Sequence, residues 1–142
     1  METITQNWIA RSSIRIHAST DKVWDALVNP EKIRKYMFGA EVESDFEEGS
    51  PIIWRGTWEG KSFEDRGQIV RVVPGKLLVY THESGDNQNE ENSHTVTVEL
   101  KHDLGGVNLN LVQDNNASEE EKDKSERNWN LMLQQLKDLV ED

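Results

Sequence analysis

The chain opens with alternating apolar and polar residues and then changes to a helical period. The alternation over residues 8–17 predicts a first strand. Two short helices are predicted next, over residues 20–28 and 30–37. Ser19 suits the N-cap of the first of these helices, and an Asn-Pro dipeptide suits the start of the second. A short helical region therefore follows directly on one strand.

From residue 40 to residue 113 the apolar period becomes two, which is the period of half-buried strands. Turn sequences rich in Gly, Pro, Asn and Asp divide this region into strands. The predicted strands span residues 40–46, 51–59, 63–73, 77–83, 93–102 and 106–113. The short turns imply an antiparallel meander. The alternation breaks phase between Ile69 and Val72, which predicts a β-bulge.

The C-terminal region returns to a helical period. Ser118 followed by three glutamates has the pattern of a capping box, so a helix of about 23 residues is predicted from there. One apolar stripe runs along it, formed by Trp129, Met132, Leu133, Leu136, Leu139 and Val140. The predicted fold is α+β: a seven-stranded curved antiparallel sheet, with two short helices after the first strand and the long C-terminal helix across the concave face. We expect residues 1–142 to form a single domain.

The charge balance narrows the classes of partner. The 142 residues include 16 Lys and Arg against 27 Asp and Glu, for a net charge of −11. A field of this sign repels phosphate backbones and anionic lipids, so neither nucleic acid nor a membrane is an expected partner. No stretch is apolar enough to span a bilayer and no signal-peptide pattern occurs, so a cytoplasmic location is expected.

No sequence motif assigns a reaction. The chain has no Cys, no G-x-S-x-G nucleophile motif, no H-E-x-x-H zinc motif and no Gly-rich phosphate loop. We therefore predict no catalytic residue, no metal ligand and no cofactor, and we favour a binding protein over an enzyme.

The inward phase of the strands combines aliphatic with aromatic and histidine side chains. Such a lining is typical of sites for apolar ligands, although each of these side chains could equally fill a core. The candidate ligand-binding residues are Trp54, Trp58, Tyr80, His82, His94, Val96, Val98, Leu109, Trp129, Met132, Leu133, Leu136, Met37 and Phe38.

Two histidines flank the connection between the fourth and fifth strands of the meander. If His82 pairs with His94, Tyr80 lies opposite Val96, and both strands keep their inward phase. The two imidazoles would then form the polar end of an apolar cavity. Residues 83–93 contain no apolar anchor, so we expect this loop to be mobile.

The entrance to that cavity is predicted at the end of the second short helix. Met37 and Phe38 lie there, and together with the loop after the fourth meander strand they would gate the opening.

Several strings of residues carry a family resemblance. Residues 19–27 read S-T-D-K-V-W-D-A-L, residues 29–33 read N-P-E-K-I, and residues 67–74 read G-Q-I-V-R-V-V-P before an L-V-Y-T string. In this order they resemble the START-like helix-grip superfamily, in the branch named after the activator of Hsp90 ATPase. The resemblance implies the fold and the binding of apolar small molecules. It does not imply any one reaction. His82 occupies a position where the family often has Trp, so the ligand preference of the family is not assigned to this chain.

Three functions remain open from the sequence. The first is binding of a small hydrophobic molecule, with aromatic and polycyclic compounds as candidates. The second, which the family name implies, is interaction with a chaperone. The third is a cyclase- or hydrolase-like enzyme, as in some helix-grip relatives, with Tyr80 or a histidine as acid or base.

Overall fold

The order of elements is strand, two short helices, six strands and one long helix, as the periodicity predicts. The computed structural model describes residues 8–83 and 93–141, except for the side chain of Trp58. The elements are β1 (Trp8–Ile16), α1 (Thr20–Val28), α2 (Pro30–Tyr36), β2 (Glu41–Ser44), β3 (Pro51–Trp58), β4 (Lys61–Val73), β5 (Leu77–His82), β6 (His94–Asp103), β7 (Gly106–Asn116) and α3 (Glu119–Glu141).

The seven strands form one antiparallel sheet in the order β1-β7-β6-β5-β4-β3-β2. The long strand β4 changes partner along its length, because its first part pairs with β3 and its last part with β5. Its register against β5 shifts between Ile69 and Arg71, which confirms the predicted bulge. A side chain at Gly67 would place its Cβ 1.7 Å from the Thr81 carbonyl oxygen, so the two strands approach closely only because this residue is glycine. The bulge lets the sheet curve around the helices.

The pairing of β5 with β6 follows the predicted register. His82 lies opposite His94, and Tyr80 lies opposite Val96. This register keeps the apolar residues of both strands on the inward face, whereas a slip of one residue would turn the apolar side chains of one strand outward.

The helices begin where the sequence signals place them. The Ser19 hydroxyl accepts a hydrogen bond from the backbone N–H of Lys22, and the Asn29 side chain accepts one from the N–H of Glu31. At the start of α3, the Ser118 hydroxyl accepts from the N–H of Glu121 at 3.2 Å. Each cap satisfies an N–H group that the helix itself leaves unpaired.

The core fills the space between the concave face of the sheet and the helices. Its largest fully buried side chains are Ile16, Ile69, Leu109, Leu136, Val23, Val96 and Val107. From α3, Leu133, Leu136 and Val140 are buried, whereas Trp129, Met132 and Leu139 are partly buried against the core. The predicted stripe of α3 therefore faces the sheet. Among the described residues, no helix has the length and apolar composition needed to cross a membrane.

Strand β7 extends three residues beyond its predicted end at residue 113. Asn116 pairs with Trp8 of β1, and its amide donates a hydrogen bond to the Trp8 carbonyl at 2.9 Å. Asn115 adopts a positive φ of 57°, which asparagine tolerates better than most residues. Strand β2 is shorter than predicted because it ends before Phe46, whose φ of 53° turns the chain.

Candidate ligand-binding site

A cavity lies between α2, α3 and the concave face of the sheet. It encloses about 30 Å³, measured as the space open to the centre of a water molecule, which suffices for one or two waters. Among the residues that the structure describes, none that lines the cavity carries a charge. The lining consists of Leu27, Ile33, Tyr36, Met37, Phe46, Ile52, Trp54, Leu78, Tyr80, Val98, Leu111, Trp129 and Leu133.

The enclosed space is small compared with the concavity that contains it. Including its open mouth, the concavity holds about 440 Å³ free of atoms. A cavity that binds benzene measures about 150 Å³. The enclosed volume of this cavity is much smaller, so a molecule of the size of benzene or larger enters only if side chains move. Met37, Phe46 and Trp129 are the partly buried members of the lining. We expect these side chains to move, because a partly buried side chain has fewer packing contacts to lose.

Phe46 enters the cavity from the turn between β2 and β3. Its φ of 53° lies in the left-handed region, which is unfavourable for an aromatic residue. Its N–H donates to the Ser44 hydroxyl at 3.0 Å, which helps to hold this conformation. Phe38, at the end of α2, has the same φ but is 42% exposed and lies outside the lining.

Two tyrosines line the cavity and differ in their hydrogen bonding. The Tyr36 hydroxyl donates to the Ala26 carbonyl at 2.9 Å. The Tyr80 hydroxyl has no hydrogen-bond partner within residues 8–83 and 93–141. Burial raises the pKa of both hydroxyls above the usual range, so both stay protonated at neutral pH.

A row of aromatic rings runs from the cavity to the end of β5 and β6. The ring centroids of Tyr80 and Trp54 are 5.5 Å apart, and those of Trp54 and His82 are 5.0 Å apart in an edge-to-face arrangement. His82 stacks on His94 with centroids 6.2 Å apart. Trp54 thus stands between Tyr80, which lines the cavity, and the two histidines, which do not.

Each histidine is oriented by an acceptor on a neighbouring strand. Nε2 of His82 lies 2.9 Å from the Asp65 carboxylate, and Nδ1 of His94 lies 2.8 Å from the Asp114 carbonyl. A carboxylate and a backbone carbonyl only accept, so each contact fixes the orientation of its imidazole ring. The sequence predicts that the two histidines form the polar end of the cavity. In the structure they lie outside its lining, beyond Trp54, at a place that we call the rim. In the described part of the chain, no three His, Asp or Glu side chains are grouped to hold a metal ion.

The predicted site residues fall into separate groups in the structure. Those that line the cavity are Met37, Trp54, Tyr80, Val98, Trp129 and Leu133. Those placed elsewhere are Val96, Leu109 and Leu136 in the core, Met132 at its edge, Phe38 at the surface, and His82 and His94 at the rim. The side chain of Trp58 and residues 84–92 of the predicted mobile loop lie outside the described residues.

Sequence reasoning missed part of the lining. Leu78 and Leu111 share the inward phase of predicted strands, so alternation alone could have included them. Helical spacing marks Leu27 and Ile33 as buried but does not distinguish a cavity wall from a core. Phe46 lies in a turn, where no periodicity exists to indicate its direction.

The architecture is that of the helix-grip proteins: a curved antiparallel sheet that holds a long C-terminal helix, with a cavity between them. The sequence model of the family described as activator of Hsp90 ATPase homolog 1-like protein matches residues 17–141. The chain belongs to this family.

Solved structures agree with this assignment. The chain is similar to ChR145 from Cytophaga hutchinsonii, with 47% identity over 94% of this chain and 93% of that chain, and a TM-score of 0.82. Two more distant structures show the fold alone. One is the Aha1 dimer from Colwellia psychrerythraea, at 18% identity over 94% and 96% of the chains, with a TM-score of 0.73. The other is DynU16, a protein of the dynemicin biosynthetic locus, at 14% identity over 94% of this chain and 47% of that one, with a TM-score of 0.78. No match was found among curated proteins.

Proposed function

We propose that this protein binds a small, uncharged, hydrophobic molecule in the cavity between the sheet and α3. The observation that carries the proposal is the lining, whose described members are all apolar or aromatic and include no charged side chain. Desolvating a charged ligand there would leave its charge unpaired, at a large free-energy cost. An apolar ligand would instead gain dispersion contacts that the void denies to its lining.

The side chains at the mouth of the cavity favour a ligand larger than the enclosed space. Met37 has three rotatable side-chain bonds and adapts easily to a new neighbour. Phe46 and Trp129 are also partly buried, so their movement would open the concavity without disturbing the fully buried core. An aromatic or polycyclic molecule fits this opening, because flat rings stack on Trp and Phe side chains.

One structural neighbour supports a role with small molecules. The same fold occurs in a protein of the dynemicin biosynthetic locus. The description of the family instead names activation of a chaperone ATPase. Chaperone interaction is therefore the function to pursue if no small molecule binds.

Titration with an apolar bicyclic compound tests the proposal. We expect tetralin to bind and to raise the thermal unfolding temperature of the wild type. Leu111→Phe fills the cavity from its wall and should abolish this effect, whereas Val70→Phe changes a half-exposed residue of β4 and should retain it. Equal responses of both variants, or no response of the wild type, would contradict binding in the cavity.

A further inference from the structure

We infer that the Tyr80 hydroxyl and the Trp54 indole N–H donate hydrogen bonds to an oxygen atom of the ligand, so the ligand is a hydrophobic molecule that carries a carbonyl group. This inference rests on the proposed function and names the class of ligand for the same cavity.

Four aromatic side chains with polar atoms line the cavity, and they fall into two pairs. The Tyr36 hydroxyl donates to the Ala26 carbonyl at 2.9 Å, and the Trp129 indole N–H donates to the Gln113 side chain at 2.6 Å. Neither the Tyr80 hydroxyl nor the Trp54 indole N–H has a hydrogen-bond partner among residues 8–83 and 93–141. The protein therefore supplies a hydrogen-bond acceptor for Tyr36 and for Trp129. The donor groups of Tyr80 and Trp54 stay available to a ligand.

The available pair is deeply buried. Tyr80 is 6% exposed and Trp54 is 7% exposed, and their ring centroids lie 5.5 Å apart. In the described part of the chain, every fully enclosed side-chain nitrogen or oxygen has a hydrogen-bond partner. The two unpaired groups are thus not sealed in the core but reach open space, and both residues line the cavity. A donor that reaches open space within an apolar lining is available to an acceptor atom of a ligand.

The hydrogen-bonding chemistry of the Tyr80 hydroxyl and the Trp54 indole N–H determines which kind of ligand atom can pair with them. An indole N–H can only donate, so its partner must be an acceptor. The Tyr80 hydroxyl also donates readily, because burial keeps it protonated. The described lining residues offer no cation to balance a carboxylate, and the net charge of −11 repels anions. A neutral carbonyl oxygen, as in a ketone, quinone or lactone, accepts two hydrogen bonds and fulfils these conditions.

A pair of ligands that differ in one group tests the inference. Tetralin and 1-tetralone have the same bicyclic frame, but a CH₂ group of tetralin is a carbonyl in 1-tetralone. Their dissociation constants are measured for the wild type and for Tyr80→Phe, which removes only the hydroxyl. We expect the wild type to prefer 1-tetralone by about tenfold to a hundredfold, because each of the two net hydrogen bonds usually contributes about threefold to tenfold. Tyr80→Phe should reduce this preference by about threefold to tenfold, the share of one hydrogen bond, by weakening 1-tetralone alone.

The stability of the same variant gives a second measurement. Because the Tyr80 hydroxyl has no partner in the protein, Tyr80→Phe should unfold at the same temperature as the wild type or a higher one. A clear loss of stability would show that the hydroxyl serves the fold, and would overturn the inference.

The outcomes separate this inference from the proposed function. If tetralin binds but the wild type shows no preference for 1-tetralone, or if Tyr80→Phe weakens both ligands equally, the inference fails and the proposed function stands. If neither compound binds the wild type, both fail.

Discussion

The two halves of the concave face differ in how they are filled. The first half, which we call the packed half, lies where the end of β1 meets the start of β7. There Ile16 and Val107 pair across the strands and are fully buried, as is Leu136 of α3. The second half, the cavity half, lies by α2, β3 and β5. Its side chains are larger and more aromatic, yet they leave an enclosed void.

Helix α3 takes part in both halves. Near its C-terminus, Lys137 donates to the Arg15 carbonyl at 2.9 Å, and Glu141 accepts from the His17 N–H at 2.7 Å, so this end is fixed on β1. The segment with Trp129 and Leu133 faces the cavity instead. Glu126 and Asn130 of this segment also form hydrogen bonds with β1, so α3 is held on β1 along its length while one stretch of it forms a wall of the cavity.

The two halves differ in the kind of side chain that fills them. The packed half is filled by aliphatic side chains such as Ile16, Val107 and Leu136, and side chains of this kind pack closely in protein cores. The cavity half adds Trp54 and Tyr80, whose rigid rings carry polar atoms. Inward-facing residues therefore form a core in one half and line a cavity in the other.

The largest expected effect is the removal of a side chain from the packed half. Leu136 is 0% exposed, so Leu136→Ala leaves a new void and should lower the free energy of unfolding by about 2–5 kcal/mol. Leu131→Ala, at a 51% exposed position of the same helix, is the matched control and should change it by less than about 0.5 kcal/mol. Urea unfolding measures both. Equal effects of the two variants would show that α3 faces the sheet with a different stripe.

A smaller effect is expected one turn away, in the cavity half. Leu133 already borders a void, so Leu133→Ala loses fewer packing contacts and should lower the free energy of unfolding by about 2 kcal/mol. The enlarged cavity should also accept tetralin more readily. We expect tetralin to raise the unfolding temperature of Leu133→Ala more than that of Leu136→Ala. A stronger response from Leu136→Ala would mean that the void is accessible from the packed half.

The sequence predicts the fold because every element has its own local signal. The caps Ser19 and Asn29 and the alternation in β5 and β6 determine boundaries and register without knowledge of the tertiary structure. The family resemblance agrees with the same architecture and is confirmed by the match over residues 17–141.

The candidate site is less predictable from sequence, because periodicity identifies which side chains face inward but not how well they pack. Leu109 and Leu111 have the same phase in β7, yet only Leu111 lines the cavity. Likewise, the orientation of His82 by Asp65 depends on the partner change along β4, which brings residues 17 positions apart together. Contacts of this kind depend on the curvature of the sheet.

The smallest expected effect concerns the end of α3 that is fixed on β1. Hydrogen bonds from the His17 N–H and from Lys137 hold the pKa of the Glu141 carboxyl below its usual value of 4.5. Because the folded-state pKa is lowered, this carboxylate stabilises the protein above pH 4.5, and its contribution is lost as the pH falls through the lowered value. In urea unfolding between about pH 6 and pH 3, Glu141→Gln should be less stable than the wild type at pH 6, and the difference should shrink below pH 4.5. Glu120→Gln removes the same charge at an exposed position of α3 and controls for net charge. A constant difference between Glu141→Gln and the wild type across this range would show that the carboxylate does not stabilise the contact with β1.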